Sequence, residues 1–254
     1  MPPVILVIWH NNWENLALPQ PTELHQDDVS AHHTPVDPEL VAECSQGDSH
    51  LQRLLGRRSA RVFIISGPSG VGKDSVLEKL QQVLPDATYV VTATSRPMRT
   101  NEIDGVHYRF LDRADFERQI EAGDFAEHAL VYDNLYGVPK RPIVEGLATG
   151  QHVIIKVDVK GAATLRRLIP SASSIFLLPE SMESLWQRLH RRKSEPLEVI
   201  KKRFRTACEE LERVGEFDYV VFNKADKLDK ALKHIVTIID AEQRRVVQPE
   251  IRLD

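Results

Sequence analysis

Residues 61–84 read RVFIISGPSGVGKDSVLEKLQQVL, and they constrain the rest of the chain more than any other stretch. Val62, Phe63, Ile64 and Ile65 form the short apolar run expected of a buried parallel strand. Gly67, Pro68, Ser69, Gly70, Val71, Gly72 and Lys73 then complete the pattern G-x-x-x-x-G-K. Leu77, Leu80, Val83 and Leu84 recur at helical spacing behind it. A strand entering a glycine-rich turn that opens a helix is the context a phosphate-binding P-loop requires. The glycines let backbone N–H groups point inward around phosphate oxygens, and the helix N-terminus adds free donors and its dipole. Lys73 places a positive charge on the phosphates of a nucleoside triphosphate. A hydroxyl normally follows the lysine and binds Mg²⁺. Here Asp74 holds that position and Ser75 comes next. A carboxylate is also a hard oxygen ligand for Mg²⁺, and it adds a negative charge that something must offset.

A chain of 254 residues suffices for one large α/β domain, or a domain with an extension. The formal net charge of −4 gives no basic field for nucleic acid or a membrane surface. Cys44 and Cys208 lie far apart, without metal-ligand spacing, and read as free thiols in a reducing compartment. No apolar run approaches the length of a membrane span. The short apolar run Val4–Trp9 has no basic segment before it, and the first 50 residues are acidic, His-rich and free of Arg. These features argue against a secretory signal or a transit peptide.

Residues 1–58 differ in composition from the remainder and read as a largely irregular extension, with a strand at Val4–Ile8 and a helix near Pro38–Cys44. His32–His33 reads as a solvated loop, since no third ligand sits at a helpful spacing. Residues 59–248 read as one α/β domain. After the P-loop helix a second strand is expected at Tyr89–Thr92. Asp112 caps a helix ending at Gly123. Strands follow at Phe125–Val131 and Tyr136–Val138, then a helix over Lys140–Thr149 closed by Gly150. HVIIKVD reads as a buried strand ending in Asp158. A helix to Leu168, a strand to Leu178 and a helix capped by Ser181 come next. A basic turn at Arg191–Arg192–Lys193 precedes a long helix from Pro196 to about Val214. A strand at Tyr219–Phe222 and a helix from Leu228 to about Val246 complete the chain. Alternating strands and helices imply a parallel sheet covered on both faces. Residues 94–150 interrupt that rhythm and read as an insertion that builds a second binding site.

That insertion points to the acceptor. Arg96 and Arg99 suit bidentate phosphate contacts, and Tyr108 and Tyr136 offer hydroxyls to the same phosphate. Glu127 lies in the apolar strand FAEHALV. A carboxylate there accepts two parallel hydrogen bonds from the N1–H and N2–H₂ edge of guanine, a donor pair that adenine lacks.

GPSGVGK, TSRPMR, IDGVHYRF, FAEHALVYDNLYG, VDVKGA and RLHRRK…VIKKRF occur in that order. Together they resemble guanylate kinase across about 61–245, and GPSGVGKD with VTATSRP looks most like the plastid and mitochondrial guanylate kinases of plants. The resemblance implies a P-loop nucleoside monophosphate kinase: a parallel sheet core, a GMP-binding insertion and a lid at about 190–203. It implies Mg²⁺-dependent transfer of the ATP γ-phosphoryl group to GMP. By position, Lys73, Arg192 and Arg203 are the catalytic cations, and Arg188 and Asn223 join residues 67–75 on the ATP side. Thr92, Glu127 and Asp158 face guanine, while Arg96, Arg99, Tyr108 and Tyr136 hold the GMP phosphate. The expected partners are ATP and GMP, with no nucleic acid or membrane, for a monomer or small homo-oligomer. The expected location is the cytoplasm, with a plastid or mitochondrion as the alternative.

Three positions depart from the family. Val138 stands where Ser or Thr is usual near GMP, Asp74 replaces the Mg²⁺-binding hydroxyl, and Lys156 replaces the first acid of the D-x-D strand end. The last two read as a charge exchange, in which Asp74 supplies Mg²⁺ or pairs with Lys156 and the two sit close in space. Otherwise Mg²⁺ is held by ATP and water. Two rivals share part of the pattern. Ribose 1,5-bisphosphate kinase shares GPSG-x-GKDS but should lack the Glu127 and Tyr136 context. Guanylate-kinase-like domains of scaffold proteins typically lose the P-loop that is intact here.

Overall fold

The structure, a computed structural model, describes residues 38–55, 60–100, 102–131, 133–191 and 196–245. The expected strand at Val4–Ile8 and the His32–His33 pair lie outside them. The chain divides into two units, residues 1–57 and 58–254. In the first, helix α1 spans Pro38–Leu55, longer than the helix expected near Pro38–Cys44. No described helix is long and apolar enough to cross a membrane.

The second unit is built on five parallel strands: β1 (Val62–Ser66), β2 (Thr88–Val90), β7 (Val153–Lys156), β8 (Ser173–Leu178) and β9 (Tyr219–Phe222). Their order is β2-β7-β1-β8-β9, so β1 is central. Residues of β1 alternate between two apolar layers, as the pleat demands. Phe63 and Ile65 pack with Val76 and Leu80 of α2 (Lys73–Val83) and with Ile235 and Ile239 of α8 (Leu228–Gln243). Val62 and Ile64 face Ile143 of α4 (Lys140–Ala148) and Ala162 and Leu165 of α5 (Val159–Leu168). These four apolar residues of β1 are fully buried, which is why the strand reads as a continuous apolar run.

A smaller four-stranded sheet comes from the insertion. Its order is β4-β3-β6-β5, with β3 at Ala93–Thr94, β4 at Arg109–Phe110, β5 at Phe125–Val131 and β6 at Asn134–Pro139. Helix α3 (Arg113–Glu121) covers it, and Phe116 stacks on Phe125 with ring centroids 4.6 Å apart. Gly137 is required at this point: a Cβ there would lie 2.8 Å from the Phe125 ring and 3.0 Å from Phe116. Asp112 caps α3 by accepting the Asp115 N–H at 2.7 Å, and Gly123 ends the helix turn with φ 72°.

The structure differs from the sequence reading at three boundaries. The second core strand ends at Val90, and Ala93–Thr94 already belongs to the other sheet, so the chain changes sheets inside the run expected to be one strand. Helix α4 packs chiefly on β2 and β7 of the core sheet, because Ile143 is buried in the core layer and Gly146 abuts Thr88. Strand β7 ends at Lys156, since Asp158 is occupied as the N-cap of α5, accepting the Gly161 N–H at 2.7 Å. The remaining described segments of this unit are α6 (Met182–Arg191), α7 (Leu197–Glu212) and a 3₁₀ turn at Arg213–Glu216.

Candidate active site

The C-terminal edge of the parallel sheet carries the site, as in other open α/β sheets. The loop between β1 and α2 turns through three left-handed glycines, Gly67 (φ 143°), Gly70 (φ 86°) and Gly72 (φ 99°). A Cβ on Gly67 would lie 2.5 Å from the Leu177 carbonyl, so glycine is needed both for backbone angle and for closeness to β8. Arg188 of α6 donates to the Val71 carbonyl at 3.0 Å and to the Asn223 carbonyl at 2.9 Å, and Asn223 Nδ2 donates to the same Val71 carbonyl at 2.8 Å. Arg188 and Asn223, both expected on the ATP side, therefore hold the phosphate loop itself.

Lys73 opens α2 and bends back over the loop, donating to the carbonyls of Gly67 at 2.6 Å and Pro68 at 3.3 Å. It keeps partial solvent access, yet the dense protein around its ammonium pushes its pKa below the ordinary value, against the pull of Glu210, Asp74 and Asp158. From α7, Arg203 donates to Ser69 Oγ at 3.0 and 3.2 Å. Ser75 is exposed in the first turn of α2. Arg192 lies outside the described residues.

One residue of this half escaped the sequence reading. Glu210 of α7 accepts the Ser69 N–H at 3.0 Å, and burial pushes its pKa up despite Lys73 nearby. It follows Arg203 by seven residues, two helical turns on one face, and that spacing was the available signal. Lys156, one of the three departures, is expected close to Asp74 from the sequence. It is buried at the end of β7, where the register sets it beside Ile65, and its Nζ lies 2.6 Å from Asp74 Oδ1. The expected closeness of Asp74 and Lys156 is therefore present.

The inserted sheet supplies the second half. Thr92 (5% exposed) and Glu127 (6% exposed) are buried, and Asp158 stands at the start of α5. Asp158 Oδ1 and Glu127 Oε1 would both lie 3.2 Å from a Cβ on Gly161, so the missing side chain leaves room for two carboxylates to converge. Burial, and then the Asp158 charge, raise the Glu127 pKa to about 7. Val138 pairs with Glu127 across the β5–β6 ladder and is fully buried.

Arg96, Tyr108 and Tyr136 cluster. The Arg96 guanidinium sits 5.1 Å from the Tyr108 ring centroid, and the two tyrosine rings are 6.0 Å apart, edge to face. Arg96 is not held free for a phosphate, however. Glu102 grips it at 2.5 and 2.7 Å and also accepts the Arg99 N–H at 2.8 Å. Burial works against the Arg96 charge, but the Glu102 carboxylate outweighs it and raises the pKa. Glu102 went unread because a carboxylate in TNEIDG has the look of a solvated turn. Arg99 is exposed beside it.

The sequence model of the guanylate kinase family matches residues 59–242. Guanylate kinase 2, chloroplastic/mitochondrial, of Oryza sativa subsp. japonica is 45% identical over 186 residues, which cover 73% of this chain and 65% of the rice protein. The guanylate kinase of Carboxydothermus hydrogenoformans is 40% identical over 182 residues, covering 72% of this chain and 88% of that one. The crystal structure of guanylate kinase from Anaplasma phagocytophilum superposes with a TM-score of 0.62 at 28% identity, over 76% of this chain and 90% of that one. A P-loop facing a pair of converging carboxylates and an arginine–tyrosine cluster agrees with these matches, and the chain belongs to the guanylate kinase family, whose known activity is phosphoryl transfer from ATP to GMP.

Proposed function

We propose that this chain transfers the γ-phosphoryl group of ATP to GMP with the residues described above in divided roles. The observation that carries the assignment is the buried Glu127 carboxylate facing Asp158 across Gly161. Two acids brought together without an intervening side chain call for a ligand that presents adjacent N–H donors, and the guanine edge does so. Adenine offers no such donor pair and would leave the buried Glu127 carboxylate unpaired. Thr92 adds a buried hydroxyl to the same wall.

The GMP phosphate is already largely ionised near neutral pH, so its attack on ATP needs no general base. What the protein must supply is alignment and charge. Arg96, oriented by Glu102, acts with Arg99, Tyr108 and Tyr136 to hold the acceptor phosphate. The N–H groups of residues 67–75 cradle the donor phosphates. Lys73 exchanges the loop carbonyls it now touches for phosphate oxygens. Arg203, docked on Ser69, and Arg192 close the donor side and exclude water.

When bound with ATP, Mg²⁺ neutralises charge on the β- and γ-phosphates. The residues present fit an ion held chiefly by phosphate and water. Asp74 is the one acid in the first turn of α2, its side chain is 47% exposed, and no group of three or more His, Cys, Asp or Glu among the described residues converges on a metal position. Asp74 would supply a ligand directly or through water. The resemblance to the rice protein favours a plastid or mitochondrion over the cytoplasm.

Calorimetric titration of GMP and AMP tests the assignment. GMP should bind at least 100-fold more tightly than AMP, and Glu127→Ala should remove most of that preference. Equal binding of the two nucleotides by the unaltered protein would overturn it.

A further inference from the structure

Lys156 is placed where neither half of the site has claimed it. It ends β7, its side chain is only 10% exposed, and it touches both halves at once. On one side its Nζ pairs with Asp74 at 2.6 Å. On the other it lies 4.3 Å from the centroid of the Tyr108 ring. Tyr108 in turn faces Tyr136 and Arg96, the residues assigned to the acceptor phosphate. A strand-borne cation thus stands at the seam between the donor loop and the acceptor site. Burial acts to discharge it, but Tyr108 and Asp74 outweigh burial and hold its pKa above the ordinary value.

We propose that Lys156 is a phosphate-binding residue of the acceptor site, and that its ammonium leaves Asp74 for the phosphate of the incoming nucleoside monophosphate. This rests on the reading of the inserted sheet as the GMP site. The two partners are unequal in what they lose by parting. Asp74 is 47% exposed and stands in the first turn of α2, where water and the helix dipole both support a carboxylate. Lys156 has no comparable access to water and needs an anion beside it. A dianionic phosphate among Tyr108, Tyr136 and Arg96 is the stronger partner. The lysine stem, with three rotatable donors at its tip, can reorient from one to the other without backbone movement. The exchange has a consequence for the donor side: once Lys156 turns to the acceptor, Asp74 gives up this ion pair at the edge of the phosphate loop.

The test is calorimetric titration of GMP and of guanosine into the full chain, without ATP or Mg²⁺. Lys156→Met should weaken GMP binding by about 10- to 100-fold, the effect expected for a lost charge-assisted hydrogen bond, and leave guanosine within about twofold. Lys156→Arg should retain most of the GMP affinity. Asp74→Asn should tighten GMP by about threefold, because Lys156 no longer has a full carboxylate to leave. Lys156→Met binding GMP as the unaltered chain does would overturn the proposal, as would a parallel loss of guanosine affinity, which would mark a structural role. If Lys156→Met does not fold, Asp74→Asn decides, and unchanged or weaker GMP binding overturns it. Failure of the unaltered chain to prefer GMP over AMP would instead remove the acceptor assignment itself.

Discussion

Lys156 and Asp74, 82 residues apart in the chain, form a 2.6 Å ion pair at the C-terminal edge of the central sheet. The β1–β7 register produces it. Ile65 pairs with Lys156, the P-loop starts two residues beyond Ile65, and the first turn of α2 returns Asp74 to the end of β7. Where the resemblance read from the sequence implies an acid and a hydroxyl, this chain has a cation and an acid, so charge balance at the edge is kept in a different form.

Removing one member should therefore cost stability. Asp74→Ser leaves a buried ammonium without its carboxylate, and the half-exposed position of Asp74 limits the loss to about 1–2 kcal/mol. Asp74→Ser with Lys156→Asp restores the usual pairing of residue types and should recover most of it. Denaturant midpoints of the two single variants and the double measure the coupling. Additive losses would contradict it.

Glu127 should make guanine recognition pH-dependent. Its carboxyl must be ionised to accept both guanine donors, and its pKa stands at about 7. Guanosine affinity should therefore fall as pH drops from 8 to 6. Guanosine is the right probe, since the GMP phosphate itself titrates near pH 6. Glu127→Gln should flatten the profile and weaken binding by about 10- to 100-fold. The same shift sets a stability trend. The native state holds this proton more tightly than the unfolded chain, so Glu127 lowers stability as pH rises from about 4.5 to 7, and adds no further change above that. Glu127→Gln should gain stability on the alkaline side.

Asn223→Ala removes one of two side-chain donors from the Val71 carbonyl and leaves the other, Arg188, in place. A loss of about 1 kcal/mol is expected, seen as a KM for ATP raised about fivefold with the KM for GMP unchanged. Equal effects on both substrates would contradict a role confined to the donor loop.

At the opposite edge of the sheet, Arg61 and Glu242 form a buried ion pair at 2.6 Å, with Tyr219 also donating to Glu242 at 2.5 Å. Burial alone would raise the Glu242 pKa, but Tyr219, Arg61 and neighbouring donors outweigh it and lower it. Its contribution is present above the ordinary carboxylate range and is lost as pH falls through the depressed value. Arg61→Met should cost about 3 kcal/mol near neutral pH and, by letting the Glu242 pKa rise, flatten the loss of stability on acidification, while leaving kcat unchanged at a temperature where the variant is folded. Thermal melts between pH 3 and 7 provide the measurement.

How much of this was legible depended on whether the signal was local. The P-loop, the Asp112 cap and the β5 strand lie in contiguous residues whose pattern matches one element, and each is found where the pattern puts it. The change of sheet after Val90 was hidden because YVVTAT is equally suited to either sheet. The end of β7 was hidden because Asp158 extends an apolar run while serving α5. Glu102 and Glu210 were missed for a common reason. Each is one acid in a charged surface segment, and its partner, Arg96 or the Ser69 N–H, is supplied only by folding. The closeness of Lys156 to Asp74 was legible from the two departures, but the contact of Lys156 with Tyr108 needed the inserted sheet to be in place.

The most direct test of the account is ADP formation from ATP and Mg²⁺ with GMP, with AMP and with ribose 1,5-bisphosphate as acceptors. The account predicts turnover with GMP, and a kcat/KM for AMP lower by at least about 100-fold. Comparable turnover with AMP, or turnover with the sugar phosphate alone, would contradict the reading of Glu127 and Asp158 as the guanine-binding pair.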